Sequence, residues 1–376
     1  MGLLTFKADS DQIRAKHRRL AAAYARRPGH EVPVVSLAAP GVPGVSVREM
    51  YEDLDRMLER AAALANALAA GESDWPPFID TYCTVPMVPE AFGCEVLFRE
   101  GFAATALPAL RDVAGVWSLK PRRPEDTPTV RRMFEWTDYA QRKLGTDVPF
   151  WTADIQSPFS VAAQIVQGDQ LLLACLTDPK AVHHLCRMVT DFTIEMMRRH
   201  IAQMEHPGYP GRNFPSISEN IGICIADDTP LIMLSPAMYR EFAFPYNAEI
   251  ARAFGGVHIH SCGDYRHNLD NLGALPGIRS IQVHAGVGEF LLPATADEDA
   301  AFNRARAKVT YLVDANDISR GDAYRGRPRD HFAEYVLPRL KQGDLTGLIL
   351  ESCPAAQGLP TPADAVRWTR EQIRTV

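Results

Sequence analysis

Three residues of this chain have the side chains and the spacing to bind one metal ion: His260, Cys262 and Cys353. Residues i and i+2 of a strand project from the same face, about 6.5–7 Å apart along it, so His260 and Cys262 can converge on one ion. One imidazole nitrogen and two thiolate sulfurs favour zinc, and three protein ligands with one open position are typical of catalytic zinc. A His-x-Cys pair also arises by chance, and a cysteine is often a small buried apolar residue. The spacing alone therefore leaves a zinc site and structural cysteines as alternatives.

Short apolar runs that end in polar or reactive residues dominate the chain after Trp75. The predicted strands are residues 77–83, 113–119, 150–155, 220–228, 256–262, 280–286, 309–314 and 347–353. Helical patterns are clearest at residues 179–204, 235–254, 297–307, 330–342 and 362–375. Eight strands, each followed by a helix, predict an α/β fold with a single (β/α)8 TIM barrel.

The chemically reactive side chains collect at the C-terminal ends of these predicted strands. They are Asp154, Asp227, Asp228, His260, Cys262, His284, Asp314, Glu351 and Cys353. In a (β/α)8 barrel those ends form the active face, and a residue just after the last strand can face the middle strands across the mouth. Simple strand-to-helix turns also favour Asp and Ser, but turns alone do not concentrate His and Cys. The pattern therefore predicts an active site at this end.

Residues 1–74 are predicted to form an N-terminal helical extension, and residues 75–376 the barrel. Residues 10–27 have helical periodicity and carry six basic side chains, which we interpret as a solvated helix face. After a Pro- and Gly-rich loop, Ser46 has the position of an N-cap for a second helix that runs to Gly71. No repeat or low-complexity linker follows, so no second domain is predicted after the barrel begins.

The 376 residues, 46% of them hydrophobic and 23% charged, have the composition of an ordinary soluble globular protein. A net charge of −6 does not favour a nucleic-acid partner, and no apolar run has the ~20 residues of a transmembrane helix. No Walker A motif or strand-linked GxGxxG motif indicates a nucleotide cofactor. Without a signal peptide or a regular disulfide framework, we expect a cytoplasmic protein with reduced thiols. The cysteines expected to be structural are Cys83, Cys94, Cys175, Cys186 and Cys224.

Three segments resemble the uroporphyrinogen decarboxylase superfamily: DIQSPFSVAAQIVQG (154–168), DDTPLIMLSPAMYREFAFPYNAEI (227–250) and GGVHIHSCG (255–263). Within it they are most similar to the zinc-dependent corrinoid methyltransferases, over about residues 75–375. The resemblance implies a His-x-Cys…Cys zinc motif, which corresponds to His260, Cys262 and Cys353 here. The stretch from Ser235 to Tyr246 is common to the wider superfamily and does not identify the reaction.

The chain departs from the decarboxylases that give the superfamily its name. Those enzymes have an Arg-rich segment after the first strand that binds the carboxylates of the porphyrinogen, whereas residues 78–98 contain no Arg or Lys. An octa-anionic substrate would be poorly compensated without those cations. Haem biosynthesis is therefore not expected.

Other residues near the strand ends have more than one interpretation. His284 could be a fourth zinc ligand, could bind substrate, or could be a hydrogen-bonded histidine at a strand end. His258 is on the same strand face as His260, one layer further into the predicted barrel. We interpret it as a side chain that fills the barrel or supports the metal ligands. Asp154 could orient a ligand or substrate, with turn chemistry as the alternative. Asp227 could act as a general base, with a helix N-cap as the alternative. Glu351 could be an acid or base, or the partner of an arginine.

The resemblance implies transfer of a methyl group from a corrinoid, or a similar carrier, to a thiol that zinc holds as the nucleophilic thiolate. The chain has no corrinoid-binding Asp-x-His-x-x-Gly segment, so a corrinoid is expected on a separate partner protein. A homodimer is also conceivable. Two alternatives stay open. One is a zinc-dependent lyase or hydrolase, or a decarboxylase-like enzyme, acting on another small molecule. The other is a non-catalytic barrel that binds a metal or a tetrapyrrole.

Overall fold

The computed structural model describes residues 3–81, 85–145, 148–205, 207–209, 222–284, 310–314, 345–351 and 359–375, apart from 38, 40 and 101, together with 300, 301, 304, 305, 332 and 337. The strands in this part of the chain are β1 (Val34–Val35), β2 (Glu95–Leu97), β3 (Thr105–Leu107), β4 (Phe150–Trp151), β5 (Ile155–Gln156), β6 (Pro207–Tyr209), β7 (Ile223–Ala226), β8 (Val257–His260), β9 (Ile278–His284), β10 (Thr310–Asp314) and β11 (Leu348–Glu351).

The helices of the same ranges surround these strands. The α-helices are α1 (Asp11–Tyr24), α2 (Val47–Glu52), α3 (Leu54–Ala70), α4 (Met87–Ala91), α5 (Pro128–Leu144), α6 (Pro158–Ile165), α7 (Gln170–Thr177), α8 (Pro179–Gln203), α9 (Asp228–Met233), α10 (Pro236–Phe242), α11 (Phe244–Ala253), α12 (Leu269–Ala274) and α13 (Pro362–Arg374). Short 3-10 helices lie at Val113–Ser118, Pro124–Asp126 and Arg266–Asn268. None of the described helices combines the length and the apolar character that crossing a membrane would need.

Seven of the described strands form one sheet in the order β1-β11-β10-β9-β8-β7-β5, and every neighbouring pair in it is parallel. Parallel neighbours need crossover connections, and helices α9 to α11 supply one between β7 and β8. A second parallel pair joins β4 to β6, and Ile79 bridges to Phe150 of β4. The chain is therefore an α/β protein built on parallel strands, as the sequence predicts.

The central strands are covered on both faces. All four residues of β7 are buried, and in β8 and β11 only the last residue is half-buried. A strand covered on both faces has a nearly continuous apolar sequence, which explains the runs found along the chain. The last residues, His260 of β8 and Glu351 of β11, are thus the positions at which these strands reach the edge of the sheet.

The strand predicted at residues 113–119 is wrong, because Val113–Ser118 form a 3-10 helix. The side chain of Asp112 accepts a hydrogen bond from the backbone N–H of Ala114 at 2.9 Å and caps this helix. Trp117 is 59% exposed and stacks on His184, so the apolar run does not line a sheet. The other predicted strands overlap described strands or, for 77–83, a bridge at Ile79; residues 150–155 divide between β4 and β5.

The predicted helix from Ser46 to Gly71 is present in two parts. Ser46 and Glu49 form a reciprocal capping box at the start of α2, which confirms the predicted N-cap. Asp53 has an extended backbone, and its side chain caps α3, so the helix is interrupted there. The predicted helix 235–254 is similarly divided at Ala243, before Pro245. The helices predicted at 297–307 and 330–342 lie largely outside the described residues.

The basic run of α1 is only partly a solvated face, because Lys16 is buried with 1% of its surface exposed. Its Nζ donates to the carbonyl oxygens of Leu68 at 2.6 Å and Gly71 at 2.7 Å, which lie at the C-terminal end of α3. The last carbonyls of a helix lack intrahelical partners and carry partial negative charge, so they can accept a buried ammonium group. Periodicity did not reveal this contact, since it depends on how two helices pack.

Asp74 joins both ends of the described chain. Its carboxylate is fully buried and lies 2.6 Å from the guanidinium of Arg19 in α1 and 2.9 Å from that of Arg370 in α13. It also accepts a hydrogen bond from the backbone N–H of Val34 in β1 at 2.9 Å. Buried charges of this kind stay in place only when they are paired and hydrogen-bonded.

The apolar side of α1 packs against the sheet. Leu20 belongs to one buried cluster with Val35 of β1, Cys224 of β7 and Ile349 of β11. The ring of Tyr24 meets that of His258 in β8 edge-on, with ring centroids 5.9 Å apart. The N-terminal segment therefore contributes a strand and a packed helix to the sheet, and the domain division at residue 74 stays a prediction.

Candidate metal centre

The C-terminal ends of adjacent strands bring the predicted site residues to one edge of the sheet. His260, His284, Asp314 and Glu351 are the last residues of β8, β9, β10 and β11. In the strand register, Asp314 pairs with both His284 and Glu351, while His260 pairs with Ala226, the last residue of β7. Parallel strands end on the same side, so these positions lie in one row. The prediction that polar residues collect at this edge is confirmed for these strands.

At the β8 end of this row, His260 and Cys262 are in contact. The Nε2 atom of His260 lies 3.1 Å from the Sγ atom of Cys262, and Cys262 is exposed. Asp228 is the third member of the cluster: it begins α9, and one ligand atom from each of the three residues lies within 4.8 Å of the others. Its Oδ1 accepts a hydrogen bond from the backbone N–H of Cys262 at 2.6 Å. A nitrogen, a sulfur and an oxygen donor therefore converge there.

The donor set and its spacing fit a zinc ion. Bonds of about 2.0 Å to nitrogen and about 2.3 Å to sulfur at a tetrahedral angle put two ligand atoms about 3.5 Å apart. The Nε2–Sγ distance of 3.1 Å would need to open by only a few tenths of an ångström. Imidazole and thiolate together favour zinc over magnesium or calcium, which prefer oxygen ligands. The structure thus contains a candidate metal-binding triad of Asp228, His260 and Cys262.

The remaining predicted metal ligands are not tested by these contacts. Cys353 lies outside the described residues. His284 ends β9, next to Asp314 in the register, and its role as a fourth ligand stays a prediction. Asp228 was noted from the sequence as a strand-end residue but not as a metal ligand. The feature that could have identified it is its position as the first helical residue after β7, directly beside β8.

Asp227 lies beside the triad but is held inside the protein. It is fully buried, and its Oδ2 accepts hydrogen bonds from the hydroxyl of Tyr239 at 2.7 Å and from Nδ2 of Asn247 at 2.8 Å. Burial raises the pKa of this carboxyl group to about 6, although hydrogen bonds from Ser157, Tyr239 and Asn247 oppose the rise. Its backbone N–H donates to the carbonyl of His260 at 2.8 Å. A catalytic role for Asp227 stays a prediction.

Asp154 and Glu351 are half-buried at the same edge. Asp154 precedes β5, whose Gln156 pairs with Ala226 of β7, and Glu351 pairs with Val35 of β1. They thus lie on opposite sides of the triad in the strand order, and their predicted roles in orienting a ligand or in acid–base chemistry are not tested.

Burial separates Cys262 from the other described cysteines. Cys94, Cys175, Cys186 and Cys224 are buried, in agreement with their predicted structural role, and Cys83 lies outside the described residues. Burial raises the pKa of the Cys94 and Cys175 thiols to about 11 and that of Cys186 further. Because the thiolate is the form that binds metals, these groups are poor ligands at neutral pH.

Sequence comparison connects part of the chain with known enzymes. Residues 44–204 match the family model described as "Uroporphyrinogen decarboxylase (URO-D)". The uroporphyrinogen decarboxylase of Xanthomonas axonopodis pv. citri (strain 306) is 27% identical over 171 residues, which is 44% of this chain and 43% of that enzyme. That of Xylella fastidiosa (strain Temecula1 / ATCC 700964) is 24% identical over 177 residues, or 46% and 45% of the two chains. The matches therefore span less than half the length of these relatives, and the family model does not include the His260–Cys262 segment.

Structural comparison extends over nearly the whole chain. A "methyltransferase from Methanosarcina mazei" superposes with a TM-score of 0.64 and 17% sequence identity, covering 96% of this chain and 99% of that one. At this identity the similarity establishes a shared fold. The family model confirms the predicted resemblance to the uroporphyrinogen decarboxylases over residues 44–204, and the superposition shows a fold shared with this methyltransferase.

Proposed function

We propose that the chain, whose residues 44–204 match the uroporphyrinogen decarboxylase family model, is a zinc-dependent methyltransferase that moves a methyl group from a corrinoid, or a similar carrier, to a thiol. The observation that carries this proposal is the contact between His260 Nε2 and Cys262 Sγ at the C-terminal end of β8. Imidazole nitrogen and thiolate sulfur are ligands that zinc accepts, and a zinc ion with an open position can bind a substrate thiol. The similarity to a methyltransferase fold is consistent with it.

We also infer that the sheet closes into the (β/α)8 TIM barrel predicted from the sequence. One apolar cluster contains Val35, Cys224 and Ile349, although β7 and β11 are separated by three strands in the sheet order. Strands four positions apart in a flat sheet would be about 19 Å apart, so their presence in one cluster supports a curved sheet. The bridge from Ile79 to Phe150 supplies a further parallel contact of the kind that closure needs.

In this proposal, His260, Cys262 and Cys353 would hold the zinc ion. The ion would supply a Lewis acid that lowers the pKa of a bound thiol and favours the thiolate at neutral pH. His284 is the proposed fourth ligand while no thiol is bound, and Asp228 is the alternative because of its place in the triad. Asp227 and Glu351 would bind or orient the substrate beside them.

The methyl donor would arrive on a separate corrinoid protein. The exposed position of Cys262 is consistent with a donor that approaches from outside the chain. The chain would act in the cytoplasm, as a monomer or homodimer, on a small thiol.

A second candidate function is supported by the names of the curated relatives. A zinc-dependent lyase, hydrolase or decarboxylase-like enzyme would use the same edge, with Asp154 or Asp227 as base. The absence of Arg and Lys from residues 78–98 argues against a porphyrinogen as its substrate. A barrel that binds a metal or tetrapyrrole without turnover is the third candidate.

X-ray absorption at the zinc edge distinguishes these candidates. A thiol bound through sulfur replaces an oxygen ligand at about 2.0–2.2 Å by a sulfur at about 2.3 Å. Coenzyme M, homocysteine and simple mercaptans should be added in turn, with free methylcobalamin as methyl donor. We expect one of them to add a zinc–sulfur bond and to support demethylation of the corrinoid. Cys262→Ser should abolish both effects, whereas Cys175→Ser, which changes a buried thiol in α7, should abolish neither.

Other results would exclude thiol methylation. Zinc-dependent turnover of another small molecule, with no change of the zinc shell on addition of any thiol, would favour the lyase or hydrolase. Zinc or tetrapyrrole binding without turnover would favour the non-catalytic barrel.

A further inference from the structure

Two histidines of β8 each form a hydrogen bond with the neighbouring strand β9. Nδ1 of His258 bonds to Oγ of Ser280, and Nδ1 of His260 bonds to Oε1 of Gln282. Both pairs are separated by 22 positions in sequence, so they are successive rungs of the same strand pair. The two histidine pairs differ in what the second ring nitrogen meets. Nε2 of His260 lies beside Cys262, a candidate metal ligand.

Gln282 is itself held in place. Its side chain belongs to a residue that is 4% exposed, and its backbone carbonyl accepts a hydrogen bond from the hydroxyl of the fully buried Tyr265. Tyr265 therefore holds the backbone of Gln282, and burial keeps its side-chain amide away from water, where Oε1 meets the His260 ring. A buried amide oxygen needs a hydrogen-bond donor, and the His260 ring can supply one.

The chemistry of imidazole gives this contact a consequence. A neutral imidazole carries one N–H and one lone pair, and its hydrogen-bond partners decide which nitrogen has the proton. The amide oxygen of Gln282 can only accept, so it selects the form with the proton on Nδ1. The lone pair is then on Nε2, the atom that lies 3.1 Å from Cys262 Sγ and that a metal ion must use.

We propose that Gln282 is a positioning residue that fixes the tautomer and the ring orientation of His260 for metal binding. The inference rests on the zinc site of the proposed function, and it names a residue that the sequence analysis did not assign. Gln282 differs from a carboxylate in that it adds no charge. Zinc held by one imidazole and two thiolates has no net charge, and a neutral amide leaves that balance unaltered.

The test compares three variants of the full-length chain. Gln282→Leu removes the acceptor oxygen for His260, and Gln282→Glu keeps an acceptor oxygen at the same position. Ser280→Ala removes the hydroxyl that bonds to His258 in the neighbouring pair. Zinc dissociation constants are measured by competition with a chromophoric chelator. The tautomer of His260 is measured separately by 15N NMR on metal-free protein labelled at histidine.

We expect Gln282→Leu to weaken zinc binding about 10–100-fold, the range found for other partners of metal-ligating histidines. The Nδ1-protonated form of His260 should become a mixture in this variant. Gln282→Glu should restore zinc binding to within about threefold, and Ser280→Ala should leave both measurements unchanged.

Three results would overturn the inference. Zinc binding and a His260 tautomer like those of the wild type in Gln282→Leu would show that Gln282 has no positioning role. An equal loss in Ser280→Ala would show that the effect comes from pairing of the strands. No rescue by Gln282→Glu would show that the acceptor oxygen is not what matters. A wild-type chain that binds no zinc would instead refute the proposed function, and the tautomer of the metal-free variants would still decide the role of Gln282.

Discussion

The carboxylate of Asp228 accepts a hydrogen bond from the backbone N–H of Cys262 at 2.6 Å, and thereby connects the start of α9 to the turn that follows β8. Cys262 lies close to the end of β8, because only Ser261 separates it from His260, the last residue of that strand. Asp228 thus holds the thiol close to the imidazole, apart from any direct role as a metal ligand.

Asp228 variants should distinguish support of the turn from ligation. Asp228→Asn keeps an oxygen that can accept from Cys262, so we expect zinc affinity to fall less than about threefold. Asp228→Ala removes the acceptor, and the affinity should fall about 10–100-fold. Chelator competition measures both values. An equal, large loss in the two variants would indicate that the carboxylate is itself a ligand.

Zinc content provides the most direct check of the ligand set. Protein purified without chelator should contain about one zinc ion per chain, and His260→Ala, Cys262→Ser and Cys353→Ser should each lose it. Circular dichroism should show an unchanged fold, because the buried core does not depend on the metal. Cys175→Ser is the matched control and should keep its zinc. Full zinc in both Cys262→Ser and Cys353→Ser would refute the site.

Leu58→Ala should destabilise the protein by roughly 2–5 kcal/mol, since it leaves a cavity in a buried cluster. Leu58 is 5% exposed and packs with Trp136 of α5 and Phe150 of β4. Leu54, one turn earlier, is only partly buried against the same cluster, so Leu54→Ala should cost about 1 kcal/mol or less. Urea unfolding measures both, and zinc content should stay unchanged. Equal losses of stability in the two variants would contradict this packing, because they would mean that α3 turns Leu54 and Leu58 equally toward the cluster.

Lys16 should make the stability of the protein rise with pH. Burial lowers its pKa from the ordinary 10.5 to about 8, with Asp74 opposing and Arg19 and Arg370 adding to the shift. The unfolded chain therefore binds more protons than the folded chain between pH 8 and 10.5, and stability increases as pH rises through that interval. The free energy of unfolding of the wild type, relative to Lys16→Met, should rise by about 2 kcal/mol from pH 7 to 9.5.

Urea titrations at those two pH values test the Lys16 prediction. Lys120→Met removes an exposed lysine and is the control, since it should leave the pH dependence of the wild type unaltered. A constant difference between wild type and Lys16→Met across the interval would contradict the prediction.

The parts of the fold that the sequence predicts are those set by local patterns. Helix α8 was expected from the helical pattern at residues 179–204, and the structure shows that Asp178 caps it and Pro179 is its first residue. The strands β7 to β11 were expected because strands covered on both faces are continuous apolar runs. The run at 113–119 misled because Asp112 caps its first turn, which favours a 3-10 helix over an extended strand.

The candidate site was predictable only in part, because some of its residues meet only when separate strands pair. His260 and Cys262 were recognised by their types and spacing, which are local. Gln282 and Asp228 act across strands, and a glutamine or an aspartate at a strand end has many ordinary explanations. The repeated spacing from His258 to Ser280 and from His260 to Gln282 is visible in the sequence, but only the strand register gives it meaning.

The ion pairs of Asp74 with Arg19 and Arg370 bear on how the chain folds during synthesis. A ribosome releases α1 and β1 long before β11 and α13, so β1 must wait for the strand with which it pairs. Until then a buried carboxylate lacks one of its two cations, and an open strand edge is available to other molecules. Such distant pairing slows folding, because the cost of closing a very long loop precedes the gain from contact. The nascent chain should therefore keep the edge of β1 unpaired until β11 and α13 have emerged.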